Sequence, residues 1–309
     1  MAAMCNVYGP AIFPMLPGGT PGTFTPPDGA TSTVGFVVAE LDPQLRAHWV
    51  DALGSDGQDF GGQVTLAPND DLLLVSNTNA SAATTFSDSK GTVSLPFPAG
   101  QTTLVARFAG ASGAAVWAKP FSFATGGPYA QLNGLVADPG GRIVAVGAMS
   151  GAVDLGGKMI TSAGQTDVLV AAFEPVNGGV VDAKVYGGGL ADEGRAVGID
   201  RWGAVSVTGT YRSAGTTIGA GALPDPLANA TSGFVYRAGP DLAPFWAAGF
   251  TTALTGTLLQ GWSVTADPIT GRVAAAGTYR GVINFGDGNP VRSDLDGGAY
   301  NVWVVERRP

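Results

Sequence analysis

A short apolar segment recurs along the 309-residue chain at nearly constant spacing. Its five copies are GFVVAELD, TLVARFAG, DVLVAAFE, GFVYRAGP and NVWVVERRP, and their aligned valines are separated by 67, 65, 65 and 69 residues. These valines are Val38, Val105, Val170, Val235 and Val304. A period of this length is typical of a supersecondary unit that cannot bury its own faces and therefore stacks on copies of itself.

Each copy is apolar at consecutive positions, so we expect both faces of these strands to be buried. Most copies are followed within about a dozen residues by a second strand with a bulky apolar residue, at Trp49, Trp117, Val181 and Trp246. Because valine replaces tryptophan in the third copy, we interpret this position as a packing position.

A second hairpin lies between successive copies and is built around an Asp-x-x-Gly turn, at Asp138 to Gly141 and at Asp200 to Gly203. The aspartate accepts backbone N–H bonds at the start of such a turn, and glycine takes the positive-φ position that closes it. The turn from Asp267 to Gly271 has one extra residue, and Asp70 or its neighbours replace the glycine in the first copy. Each period therefore predicts two hairpins, or four strands.

Four-stranded antiparallel units in tandem are typical of a β-propeller, in which neighbouring blades bury each other's faces. The sequence predicts an all-β propeller of about five blades in a single domain. The periods are 1–55, 56–124, 125–187, 188–252 and 253–309. Because CNVYGPAIF resembles a second strand and the chain stops after a third, we expect the first and last blades to be incomplete. They could complete one another, or the chain could be a segment of a longer propeller.

Composition narrows the classes of partner. Charged residues make up 13% of the chain, about half of the average share, and the net charge of −8 opposes binding to a nucleic-acid backbone. The longest apolar run, near 168–173, is far shorter than the roughly 20 residues that span a bilayer, so no membrane insertion is predicted. The single cysteine, Cys5, cannot form an intramolecular disulfide. No basic segment precedes an apolar one at the N-terminus, so no signal peptide is predicted.

Three strings resemble the SBBP-type β-propeller repeats of large surface proteins from myxobacteria and related bacteria. They are GAVDLGGKMITSAGQTDVLVAAFEPVNGG, ADEGRAVGIDRWGAVSVTGTY and GVINFGDGNPVRSDLDGGAYNVWVV, and the resemblance extends from Cys5 to Val305. It implies an extracellular or cell-surface scaffold or binding role, without shared catalytic residues.

Residues suited to catalysis are sparse. The only histidine, His48, precedes Trp49 on a presumed outer strand, and we interpret it as structural or exposed. Asp192 and Glu193 precede the first predicted strand of the fourth period. We interpret them as a solvated turn, with a cation site or a glycosidase-like pair as alternatives. We therefore predict no catalytic residue, no cofactor and no metal-binding residue.

Two Asp/Gly loops, 54–59 and 293–297, have acidic residues of the kind that bind calcium, but neither has the complete calcium-loop motif. We interpret both as polar turns, with a structural calcium ion as the weaker alternative. The glycines 187–189 read as a flexible connection between blades. Tyr211, Tyr279 and Trp202 are expected to be exposed at turns or strand ends. We interpret them as residues that pack between blades, with stacking of one of them on a sugar as the alternative.

The sequence thus predicts a non-enzymatic binding or scaffold module whose loops face a protein or glycan partner. One alternative is a polysaccharide-active hydrolase or lyase with Asp59, Asp192 or Glu193 at the mouth of the channel. Another is a structural subunit that self-associates by strand addition at its incomplete terminal blades.

Overall fold

The structure, a computed structural model, describes residues 1–8, 11–13, 22–24, 34–55, 58–88, 90–124, 126–219, 221–252, 257–285, 291–292 and 300–307. Within these ranges no residue is helical, and the prediction of an all-β fold is confirmed. The strands are β1 (Ala2–Tyr8), β2 (Ala11–Phe13), β3 (Gly22–Phe24), β4 (Val34–Leu41), β5 (Ala47–Gly54), β6 (Gln58–Leu66), β7 (Leu72–Ala80), β8 (Thr84–Asp88), β9 (Ser94–Phe97), β10 (Gly100–Phe108), β11 (Ala115–Ala124), β12 (Tyr129–Ala137), β13 (Ile143–Ser150), β14 (Ala152–Asp154), β15 (Met159–Thr161), β16 (Asp167–Phe173), β17 (Val180–Tyr186), β18 (Glu193–Ile199), β19 (Val205–Tyr211), β20 (Thr217–Ile218), β21 (Gly221–Ala222), β22 (Ser232–Ala238), β23 (Pro244–Thr252), β24 (Leu259–Ala266), β25 (Val273–Tyr279), β26 (Val282–Asn284), β27 (Val291–Arg292) and β28 (Asn301–Arg307).

The same four-strand order recurs along the chain. The orders β6-β7-β10-β11, β12-β13-β16-β17 and β18-β19-β22-β23 each follow the sequence, with a short hairpin between the second and third strands. The first group, β1-β4-β5, and the last, β24-β25-β28, have three long strands each. This agrees with the strand order inferred from the sequence.

The five aligned valines lie in equivalent strands, and four of them are buried. Val38, Val105, Val170 and Val235 lie in β4, β10, β16 and β22, and each is at most 2% exposed. Val304 differs, because it is 70% exposed in β28 while the neighbouring Trp303 is buried. The expectation that both faces are buried is therefore wrong for the fifth copy, where one face of the strand packs on the core and no described residue covers the other.

The sheets are less separate than the sequence predicts. Strands of the first two periods belong to one nine-stranded sheet, because Val34 pairs in parallel with Gln58 and β5 pairs with β8. Single parallel bridges at corresponding places join Thr166 to Ala191 and Thr231 to Leu258. These links, and the five short hairpins that include β8-β9 and β26-β27, were not predicted.

The chain divides into two compact units, Met1–Ile143 with Phe173–Val180 and Val144–Ala172 with Val181–Pro309. In the first unit β12 lies against β6 and β7, and the Asn77 side chain donates to the Leu132 carbonyl at 2.7 Å across that contact. In the second unit β24 lies against β18 and β19. Each unit thus contains sheets of successive periods packed face to face.

The Asp-x-x-Gly turns form as predicted. The Asp138 carboxylate accepts from the Arg142 amide at 3.0 Å, and Gly141 closes the turn at a φ of 86°. Asp200 accepts from two amides of its turn in the same way. In the first copy the positive φ, 65°, falls on Asp70, as expected where aspartate replaces glycine.

The bulky residues after the aligned segments pack as expected in three copies. Trp246 is half-buried and packs against the core cluster that contains Val235 and Trp303. The other two tryptophans also donate hydrogen bonds to distant carbonyls. Trp49 is buried and donates its indole N–H to the Gly110 carbonyl at 2.6 Å, and Trp117 donates to the Pro175 carbonyl at 3.0 Å. Each of these two tryptophans therefore binds a turn of the following period. Val181 is 44% exposed, so the predicted packing role is wrong for the third copy.

Candidate functional site

Three turns of the first unit surround a cavity of about 310 Å³. They are formed by residues 67–69, 139–141 and 175–176, and the cavity is also lined by Leu73 and Ile143. The turns belong to two successive periods, so the cavity depends on how their sheets pack. Its volume falls at the lower end of the range typical of small-molecule sites.

Local hydrogen bonds fix the third turn. The Glu174 amide donates to the Gly179 carbonyl at 2.8 Å, and the Gly178 amide donates to the Glu174 carbonyl at 2.9 Å, with Gly178 at a φ of 69°. This geometry holds Val176 at the rim, where it is 76% exposed. A valine fixed in this way can contact a ligand without a large loss of conformational entropy.

Arg107 forms the polar part of the wall. Its Nε donates to Asp71 Oδ2 and its Nη1 donates to the Pro175 carbonyl, both at 2.6 Å. Because the Trp117 indole donates to the same carbonyl, two donors hold the Pro175 turn against the strands beneath it. The guanidinium thus links turns of two successive periods.

The carboxylate beside Arg107 is held in its charged form. Burial alone raises the pKa of Asp71, but hydrogen bonds from the Gly110 amide, the Asn69 side chain and the Arg107 guanidinium outweigh it, and the pKa lies below its ordinary value. The Asp71 carboxylate therefore stays ionised at neutral pH. Asn69 is the other polar residue of the wall, and the remaining lining residues are proline, alanine, glycine, leucine, isoleucine and valine. Such a cavity suits an apolar side chain or the apolar face of a sugar.

An acidic cluster lies in the second unit. Asp167 and Asp192 are both fully buried. A Cβ added to Gly187 would lie less than 3.0 Å from Asp167 Oδ1 and from Asp192 Oδ2, so the two carboxylates approach within about 5 Å. Ser213 Oγ donates to Asp192 Oδ2 at 3.2 Å, and the Gly188 amide donates to the same oxygen at 2.7 Å.

Burial disfavours the charged form of both groups. It raises the pKa of Asp167, against the amides of Ala163, Gly164 and Gly188, which lower it. It likewise raises the pKa of Asp192, against hydrogen bonds from Arg212, Gly188 and Ser213. No described residue forms an ion pair with either carboxylate.

The acidic residues singled out in the sequence have different environments. The solvated-turn interpretation is wrong for Asp192, which is buried because its carboxylate accepts amide and hydroxyl hydrogen bonds from its own loop and from the 212–213 segment. Glu193 is half-buried and pairs with Arg195 at 3.2 Å. Asp59 is fully buried and accepts from Ser55 and Thr78. Neither Asp59 nor Asp192 is exposed at the surface.

The remaining residues and loops that the sequence analysis singled out agree with their predictions to different degrees. His48 is exposed on β5, as expected. Gly187 pairs with Thr217 as an isolated bridge, so the interpretation of 187–189 as a flexible connection is wrong at its first residue. In the 54–59 loop, Ser55 and Asp59 bond to each other, while the 293–297 loop lies outside the described residues. Cys5 lies in β1.

Two of the three aromatic residues are not available to a sugar. Tyr211 and Tyr279 are buried, and Tyr211 donates its hydroxyl to the Pro224 carbonyl at 2.7 Å. Trp202 is exposed at a turn, with the Arg201 guanidinium 4.4 Å from the centre of its ring. The expectation of exposure is therefore wrong for the tyrosines and confirmed for the tryptophan.

Sequence reasoning missed Arg107, Val176 and Asp167. Arg107 interrupts an apolar strand, and Asp167 begins one, so each was a charged residue in an apolar context. That context is a usable signal, because a charge near a core needs a partner. Val176 gave no signal, since its exposure depends on the turn.

No protein-family model and no curated protein matches the chain. The resemblance to SBBP-type repeats therefore stays a prediction. None of the described residues belongs to a helix with the length and apolar character needed to cross a bilayer.

Proposed function

We propose that the chain is a β-propeller module that acts without catalysis as an extracellular or cell-surface scaffold, and that its turns bind a protein or glycan partner. The propeller part of the proposal is supported by the recurring strand order and by the equivalent positions of Val38, Val105, Val170 and Val235. It is also supported by face-to-face packing of successive sheets within each unit.

The cavity beside Val176 is the observation on which the binding function rests. Its walls come from turns, which tolerate sequence change, and the turn at Pro175 is fixed by Arg107 and Trp117. A mostly apolar concavity with one guanidinium is suited to recognition. The burial of Asp59, Asp167 and Asp192 favours a non-enzymatic function, because acid–base catalysis requires carboxylates within reach of a substrate.

Replacing Val176 with aspartate is expected to weaken binding at least about tenfold, because a carboxylate at the rim must be desolvated when an apolar ligand group enters. Ligands would first be selected with the wild-type chain from a glycan array and from a phage-displayed peptide library. Their affinities for Val176→Asp would then be measured by biolayer interferometry.

Val116→Asp is the matched control, because Val116 is an exposed valine of the same unit that does not line the cavity. This variant should bind like the wild type, and both variants should keep the wild-type circular dichroism spectrum. Two results would contradict the proposal: no ligand from either library, or ligands that bind Val176→Asp as tightly as the wild type.

A further inference from the structure

The carboxylates of Asp167 and Asp192 converge on one point. Both side chains are fully buried, and an oxygen of each lies less than 3.0 Å from the position that a Gly187 Cβ would occupy. Two ionised carboxylates this close repel each other, and water is excluded from their surroundings. This arrangement requires a positive charge, either a shared proton or a bound cation.

Asp167 has an unused oxygen that faces this point. Its Oδ2 accepts from the Ala163 amide, but its buried Oδ1 has no hydrogen-bond partner among the described residues. The nearby Gly188 amide, which lowers the pKa of Asp167, donates to Asp192 Oδ2. Buried polar atoms without a partner are rare in folded proteins and call for an explanation such as an ion. Because no described lysine or arginine pairs with either aspartate, the protein does not supply the charge itself.

Gly187 keeps the space between the carboxylates open. Its φ lies outside the left-handed region, so the backbone conformation at this residue does not require glycine. Any other residue would place its Cβ against both aspartate oxygens. Glycine is therefore explained here by the room it leaves beside the two carboxylates.

We propose that Asp167 and Asp192 bind a calcium ion next to Gly187. Among the described residues no group of three or more Asp, Glu, His and Cys side chains is arranged to hold a metal, so the remaining ligands would be neutral oxygens. Ser213 Oγ and Thr216 Oγ1 lie 3.0 and 3.1 Å from the position of a Gly188 Cβ, within the same cluster. Calcium accepts carboxylate, carbonyl and hydroxyl oxygens in flexible geometry.

The chemistry of the cluster favours calcium over other divalent ions. Zinc prefers cysteine and histidine, and neither residue belongs to the cluster. Magnesium usually retains several waters in a strict octahedron, which a fully buried pair of carboxylates does not accommodate. A calcium ion here would join the start of β16 and the segment before β18 to the segment after β19, and would therefore stabilise the second unit.

The test is calcium binding by the full chain after dialysis against a chelator. Isothermal titration with calcium chloride, up to about 10 mM to cover weak extracellular-type sites, should give one site per chain. Calorimetry should show a calcium-dependent rise in Tm of at least about 3 °C. Asp167→Asn is expected to abolish both calcium binding and the calcium-dependent rise in Tm, because asparagine keeps the shape of the side chain and removes its charge. Magnesium chloride at the same concentration should raise the Tm much less.

Asp59→Asn is the matched control. Asp59 is likewise fully buried near the start of the first strand of its period, and it accepts from Ser55 and Thr78. Asp59→Asn should keep the calcium site, even if its Tm without calcium is lower. Absence of calcium binding by the wild type would overturn the proposal and indicate a shared proton. Equal binding by wild type and Asp167→Asn would also overturn it.

Discussion

Replacing Arg237 with methionine is expected to lower the free energy of unfolding by about 3–5 kcal/mol, because the change leaves a buried carboxylate without its partner. Arg237 Nη2 lies 2.5 Å from Asp200 Oδ2, and the two side chains are 5% and 1% exposed. Arg237 Nη1 also donates to Ser206 Oγ at 3.1 Å. Urea denaturation of the purified chain measures the loss.

The preceding period supplies a matched control in the pair of Arg142 and Asp138. This pair stands at the corresponding turn, with Nε and Oδ2 3.1 Å apart, but its side chains are 21% and 14% exposed. Because these side chains are partly exposed, solvent weakens the pair, and Arg142→Met should cost clearly less than Arg237→Met, on the order of 1 kcal/mol. Losses of similar size in the two variants would show that burial of the Arg237 pair is not what sets its contribution.

The double variant Arg237→Met with Asp200→Leu separates two explanations. If the large loss comes from the uncompensated charge of Asp200, removing that charge as well should recover part of the stability. Recovery will be incomplete, because Asp200 Oδ1 also accepts from the Trp202 and Ala204 amides at 2.9 Å. A double variant as unstable as the sum of both single variants would point to the turn hydrogen bonds instead.

Features with a local cause were predictable from the sequence. The carboxylates of the aspartates at 138, 200 and 267 accept hydrogen bonds from amides a few residues away. All the groups that form each turn are therefore neighbours in the sequence. The positive φ of Asp70 follows from the same turn. The strand order was equally accessible, because a period of about 65 residues repeats the same local signals.

Features that depend on distant segments were not predictable. Asp192 looked like a solvated turn because its own loop is polar, yet Arg212 and Ser213 bury it by donating to its carboxylate. Burial of Tyr211 likewise depends on the Pro224 carbonyl. The candidate cavity is still more difficult to predict from the sequence, because Arg107 and Pro175 are 68 residues apart and meet only when successive periods pack.

The exposed strand β28 marks another limit of sequence reasoning. Val304 aligns with four buried valines, and its neighbours are equally apolar. The exposure of a strand depends on whether a second sheet covers it. Its burial is therefore determined by another segment of the chain and not by its own residues. A repeat therefore predicts the position of a strand better than it predicts the burial of that strand.

Substitution of Gly198 by valine is expected to destabilise the chain by up to about 3 kcal/mol, because β18 and β24 approach too closely for a side chain. A Cβ on Gly198 would lie 3.0 Å from the Cα of Thr265 and 3.1 Å from the Val264 carbonyl oxygen. Both are backbone atoms of β24, so a rotamer change cannot relieve the contact. Thermal and urea denaturation of the alanine and valine variants should show a loss that grows with side-chain size.

The sign of this effect tests how the sheets pack. In an uncrowded strand, valine in place of glycine stabilises, because valine favours the extended backbone and glycine loses more entropy on folding. Gly221→Val provides that reference, since no described atom lies within 4 Å of its Cβ position. If Gly198→Val raised the free energy of unfolding as much as Gly221→Val, β24 would not pack on β18. The face-to-face packing from which we infer a propeller would then be lost between the fourth and fifth periods.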